Sequence, residues 1–154
     1  MKFGDVLVLV LVVCLVIVFS PILIPLIAFG YLQDKVDQFR FKRYLKAHDG
    51  AKYFAYTSRQ TSQKYVEHNI LPELPKDIEI MYLGEKGRVN LGDDSKFHDR
   101  IVWAMKAVPG GFPYISKVAN GNLVTESINN RLYSAITRGA ASEQIVVRIK
   151  KFFQ

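Results

Sequence analysis

From Val6 to Phe19 the chain reads VLVLVLVVCLVIVF without a charge, and after Ser20 and Pro21 it resumes as ILIPLIAFGYL up to Leu32. That reaches the length of a bilayer-spanning helix, about 20 residues. The pattern therefore predicts an N-terminal transmembrane helix over residues 1–32, kinked where Pro21 and Pro25 each remove a backbone donor. A cleaved secretory signal ending near Ala28 and Gly30 is the competing reading. The apolar run exceeds the usual signal core of about 7 to 15 residues, and its lone Lys2 is offset by Asp5, so an uncleaved anchor fits better. Residues 33–50 read as a basic linker helix in which charges alternate with Val36, Phe39, Phe41, Tyr44 and Leu45. A solvated helix with one buried face explains that alternation as well as contact with lipid does.

Beyond Gly50 the period changes. Lys52 to Thr57 (KYFAYT) and Ile78 to Leu83 (IEIMYL) have the length and β-rich composition of strands. Between them, Tyr65, Val66, Ile70, Leu71 and Leu74 keep helical spacing behind Ser58, a candidate cap, until Pro72 and Pro75 end the element. A strand, a helix and a strand in this order predict a parallel pair joined by a right-handed crossover. Phe97, Ile101, Val102, Met105 and Val108 mark a second helix, closed by Pro109-Gly110-Gly111. Phe112 to Val118 and Leu123 to Ile128 then flank Asn120-Gly121, the strongest short hairpin signal. A helix starting at Asn129 or Asn130 stops at Arg138-Gly139, and an amphipathic helix over Ser142 to Phe153 closes the chain. The prediction is an α/β protein: a transmembrane helix, then a small mixed sheet covered by helices over residues 51–154.

Charge and cysteine content narrow the function classes. The formal net charge is +7. Lys35, Arg40, Lys42, Arg43, Lys46 and Lys52 follow the apolar segment against Lys2 before it, which by the positive-inside rule places the domain in the cytoplasm. Arg40, Lys42, Arg43 and Lys46 become candidate contacts to anionic head groups, the bilayer an expected partner, and nucleic acid a poor one. The C-terminal Arg148, Lys150 and Lys151, interleaved with Ile149, Phe152 and Phe153, suit either a lipid surface or packing on the sheet. The single cysteine, Cys14, lies in the apolar segment, so a two-cysteine mechanism is excluded.

Gly111-Phe112-Pro113-Tyr114-Ile115 followed by Asn120-Gly121-Asn122 resembles the cis-proline strand and hairpin of thioredoxin-like domains, and the element order over residues 51–138 agrees with that family. The resemblance implies a cis bond before Pro113. It departs from the family at the turn after the first strand, Thr57-Ser58-Arg59-Gln60-Thr61-Ser62-Gln63-Lys64, which holds no cysteine. Thiol-disulfide exchange is then absent. By fold analogy, what remains is a shape for holding extended peptide beside Pro113, with Phe112, Ser58, Arg59 and Thr61 as further binding candidates.

Other chemistry finds less support. His48, His68 and His98 lack metal-ligand spacing and read as exposed helix residues. No G-x-S-x-G pattern supports a serine triad. The loop from Gly84 to Asp94 follows a strand and precedes a helix, a common ligand position, yet matches neither phosphate-binding fingerprint. Asp93 and Asp94 are weak metal candidates that suit the helix dipole better. Asp77 and Glu79 share a strand face without a nuclease spacing. No cofactor is implied. The expected function is a membrane-anchored, non-catalytic binding or scaffold module with a protein or peptide partner. The alternative is a metal-dependent hydrolase that uses the 84–94 loop with Asp77 or Glu79.

Overall fold

Alternating side chains in four short segments build one mixed sheet with an apolar layer on each side. A computed structural model describes the backbone of residues 3–84, 95–139 and 142–154, and the side chains of these except at 3, 5–7, 9–15, 17–24, 26, 95 and 96. The strands are β1 (Lys52–Thr57), β2 (Ile78–Leu83), β3 (Tyr114–Ala119) and β4 (Asn122–Ser127), in the spatial order β2-β1-β3-β4. The helices are α1 (Phe3–Ala47), α2 (Gln60–Asn69), α3 (Ser95–Lys106), α4 (Asn129–Arg138) and α5 (Glu143–Phe153), with a 3-10 turn at Leu71–Glu73.

β1 and β2 pair in parallel with Lys52 opposite Ile78, and β1 runs antiparallel to β3 with Phe54 opposite Ile115. β3 and β4 form the hairpin. Its turn holds Asn120 at φ 54° and Gly121 at φ 69°, the left-handed pair that a two-residue hairpin demands. A side chain at Gly121 would meet Lys46 Cγ at 2.6 Å, so glycine also lets the last turn of α1 approach.

One face of the sheet presents Phe54, Tyr56, Ile78 and Ile115 to Val66 and Ile70, to Leu132 of α4 and to Ile145 and Ile149 of α5. The other presents Tyr53, Ala55, Met81, Leu83, Tyr114 and Val118 to Ile101, Val102 and Met105 of α3 and to Leu45 of α1. Such alternation is the two-residue period of a strand covered on both sides.

The chain divides into two compact units, residues 1–40 and 41–154. Among the described residues no helix is long and apolar enough to cross a membrane. This overturns the spanning helix expected over residues 1–32, and with it the single-pass class and the cytoplasmic placement argued from its flanks. The physical reason is continuity. The helix passes Pro21, Pro25 and Leu32 unbroken and runs on to Ala47. Its unbroken run of described side chains, 27–47, carries Asp34, Lys35, Asp37, Arg40, Lys42, Arg43 and Lys46, which a hydrocarbon layer does not accept. Most side chains between Val6 and Leu26, on which the expectation rested, lie outside the described ones. Arg40, Lys42, Arg43 and Lys46 are exposed, and the ground for expecting a bilayer beside them is gone.

Candidate functional site

At the end of β1 the chain leaves the sheet through Thr57, Ser58 and Arg59 before α2 begins. Ser58 N–H donates to Leu83 O at 3.1 Å, which extends the parallel ladder by one bond. The helix cap is Arg59 and not Ser58, and no side chain caps it. Instead Ser62 Oγ donates back to Arg59 O at 3.1 Å. Arg59 is exposed, and its Nη1 donates to Tyr133 Oη of α4 at 3.4 Å. Burial raises the pKa of the Tyr133 hydroxyl, but hydrogen bonding with Ser62 and Arg59 and the Arg59 charge lower it below the ordinary phenol value overall.

Facing this turn is the segment before β3. Gly110 and Gly111 adopt φ 126° and 81°, and the Phe112–Pro113 bond is cis. A Cβ on Gly110 would lie 2.6 Å from Ser127 Oγ, so this close approach requires glycine. The end of β4 and the start of α4 clamp the segment. Ser127 Oγ donates to Gly111 O at 2.5 Å, and Asn129 Nδ2 donates to Gly110 O at 2.8 Å. On its inner side Tyr114 Oη donates to Val108 O at 2.7 Å and accepts from Gly111 N–H at 3.0 Å. The Phe112 ring meets Tyr114 edge-on, 4.9 Å between centroids.

Between turn and clamp lies an open cleft of about 310 Å³ lined by Thr57, Arg59, Gly111, Phe112 and Asn129. Two main-chain features matter there. β1 pairs with β3 only as far as Ala55 opposite Tyr114, so Tyr56 and Thr57 have no β3 neighbour. Phe112 makes no backbone–backbone hydrogen bond among the described residues. Asn129 Oδ1 is buried and likewise unpartnered among them.

Of the residues expected to bind, Arg59 and Phe112 come together in this cleft. Pro113 is buried, and its carbonyl accepts from Ile128 N–H at 3.0 Å. Ser58 is half-buried and Thr61 exposed, and neither lines the cleft. Thr57, Gly111 and Asn129 were missed. The double glycine is a sequence signal for the second of these; at Asn129 the sequence signals only a helix start.

The loop read as an alternative site lies outside the described residues from 85 to 94, and so do Asp93 and Asp94. Among the described residues no group of three His, Cys, Asp or Glu side chains could hold a metal ion. Asp77 and Glu79 part company: Asp77 precedes β2 and pairs with Lys52 Nζ at 2.7 Å. Glu79 Oε1 lies 2.7 Å from His98 Nε2. His98, expected to be exposed, has a side chain only 7% exposed, because α3 turns it onto the sheet, where Glu79 receives it. His48 and His68 are exposed, with Nδ1 against the carbonyls of Tyr44 and Lys64. No protein-family model, curated protein or solved structure matches this chain.

Proposed function

We propose that residues 41–154 form a non-catalytic binding module that receives an extended peptide or protein segment in the cleft beside Pro113. The observation that carries this reading is the free main chain at Phe112, with no backbone hydrogen bond among the described residues and a lining position in an open cleft. An extended peptide is recognised mainly by pairing its own N–H and C=O groups with such a segment, while neighbouring pockets select side chains. Phe112 supplies an aromatic wall and Arg59 a cation at the mouth. The clamp from Ser127 and Asn129 fixes the Gly110-Gly111 backbone before a ligand arrives, which reduces the ordering cost of binding.

A thioredoxin-like origin is part of the proposal. The strand order β2-β1-β3-β4, the parallel β1/β2 pair and the antiparallel β3/β4 hairpin support it. With Thr57, Ser58, Arg59 and Thr61 in the turn where that family carries its thiols, the module holds a ligand without exchanging disulfides with it.

Selection of a random-peptide display library on the full chain tests the reading. Selected peptides are expected to lose at least about tenfold in affinity for Phe112→Ala, roughly the weight of one aromatic contact. They should be insensitive to thiol reductants. Equal binding to the parent chain and to a folded Phe112→Ala variant would sink the proposal.

A further inference from the structure

A second cleft, of about 410 Å³, is lined by residues of α4 and α5 and shares none of them with the first. Arg131 and Arg138 both line it. They are seven residues apart, nearly two helical turns, and so share one side of α4, with Ser134 between them. The floor is apolar: Ala135 is 6% exposed and Ile145 of α5 is 4% exposed. Asn130 and Gln144 add neutral amides, and among the described residues no carboxylate lines the cleft. Glu143 precedes Gln144 at the start of α5, is exposed, and is not part of the lining.

The charge of this cleft is unbalanced. Among the described residues neither Arg131 nor Arg138 is paired with a carboxylate. Neither guanidinium has a side-chain hydrogen bond among them either. Two exposed cations line one open concavity above an apolar floor. A guanidinium presents a planar fork of donors suited to the oxygens of phosphate or carboxylate. A single carboxylate neutralises one fork and leaves the other unmatched. A phosphate monoester carries about −1.5 to −2 charges near neutrality and three acceptor oxygens, enough for both arginines and the Ser134 hydroxyl.

We infer that the α4–α5 cleft is a binding site for a phosphate monoester, with Arg131, Arg138 and Ser134 on the phosphate oxygens and the carbon body of the ester on Ala135 and Ile145. The same chemistry comes from a free phosphate ester or from a phosphorylated side chain. Its lining residues differ from those of the peptide cleft, so the two proposals are tested by different variants.

Calorimetric titration of the full chain at fixed ionic strength tests it, with phenyl phosphate, benzoate and a phosphoserine pentapeptide as probes. Phenyl phosphate is expected to bind at least tenfold more tightly than benzoate. Arg131→Gln and Arg138→Gln should each weaken it at least tenfold, and Lys150→Gln, at an exposed position of α5, should not. A phosphoserine peptide that binds tenfold better than phenyl phosphate identifies a modified protein as the source. Affinity no better than that of phenyl phosphate identifies a free ester. The inference is overturned if benzoate matches phenyl phosphate, or if a folded double variant of both arginines keeps the parent affinity.

Discussion

The two faces of the sheet solve the same burial problem with different materials. On the face covered by α2, α4 and α5, the buried cluster is hydrocarbon and aromatic ring, and the one buried hydroxyl of α2, on Ser62, is bonded locally to the Arg59 carbonyl. Tyr56 Oη donates to Glu67 Oε1 at 3.2 Å, and Arg148 pairs with Glu126 at 2.7 Å. On the face covered by α3 and the end of α1, buried His98 and Ser116 reach partners that are themselves partly exposed. Tyr53 is 1% exposed and its hydroxyl is bonded with Tyr44, Glu79 meets His98, and Ser116 shares a 2.8 Å hydrogen bond with Thr125. An apolar face gains from area and tolerates small shifts of a helix, because dispersion and water exclusion have no preferred direction. A buried polar pair has one good geometry and penalises every other. The first face thus draws its stability from area, while the polar groups of the second favour one rotation of α3.

The largest effect should come from the apolar face. Ile149 and Leu132 are fully buried there. Truncating either to alanine is expected to cost about 2 to 5 kcal/mol and to lower the melting midpoint by roughly 8 °C or more, as measured by calorimetry. A loss below about 1 kcal/mol would mean that α5 and α4 are not anchored as described. On the polar face His98→Ala should cost less, about 0.5 to 3 kcal/mol, because a side chain only 7% exposed is removed from beneath α3, whereas Glu79, 38% exposed, falls back on water. A cycle with Glu79→Gln separates pair from context. A coupling of at least about 0.5 kcal/mol in denaturant unfolding is expected, and a coupling of zero would remove the orienting role given to the pair.

Period-two alternation made the sheet legible in the sequence, and Asn120-Gly121 and Gly139 were legible because a left-handed φ selects residue type. β1 and β2 lie where the pattern put them. β3 starts at Tyr114 and not at Phe112, since Pro113 has no N–H for a ladder. His98 was misread for a different reason. A polar residue on a helix turns inward only when a partner waits on another element, and Glu79 lies nineteen positions earlier on β2. The apolar segment misled because hydropathy scores a window of residues, whereas helix length follows backbone bonding, and α1 continues to Ala47. At the cleft, the resemblance pointed to Arg59 and Phe112. Asn129 was invisible as a wall because it arrives only when the hairpin closes.

Alkaline titration sharpens the contrast between the faces. Burial, then the charge of Glu67 and its hydrogen bond, push the Tyr56 hydroxyl from 10.0 up to about 12. Burial, then Tyr44, push Tyr53 higher still. Each folded-state value exceeds the unfolded one, so each contribution is complete below pH 10.0 and is lost as pH rises through the folded value. Urea midpoints of the parent chain should therefore fall above pH 10.0, and Tyr56→Phe should flatten that fall up to about pH 12. Tyr53→Phe should also flatten it, and beyond the range in which Tyr56 acts. An unchanged slope in Tyr56→Phe would show that its hydroxyl is not held as described.

The smallest effect belongs to a polar pair that neither face encloses. The hydrogen bond from Lys52 Nζ at 2.7 Å, partly opposed by desolvation, holds the Asp77 carboxyl below the ordinary carboxylate range. A lowered folded value gives a contribution present at neutral pH and lost as pH falls through that value in acid. Water screens this pair, because the Asp77 side chain is 57% exposed. Asp77→Asn should leave the neutral-pH urea midpoint within replicate error and alter only the acid limb. If it shifts the neutral midpoint as far as His98→Ala does, enclosure is not what gives a polar pair its weight here, and the orienting role assigned to Glu79 and His98 loses its basis.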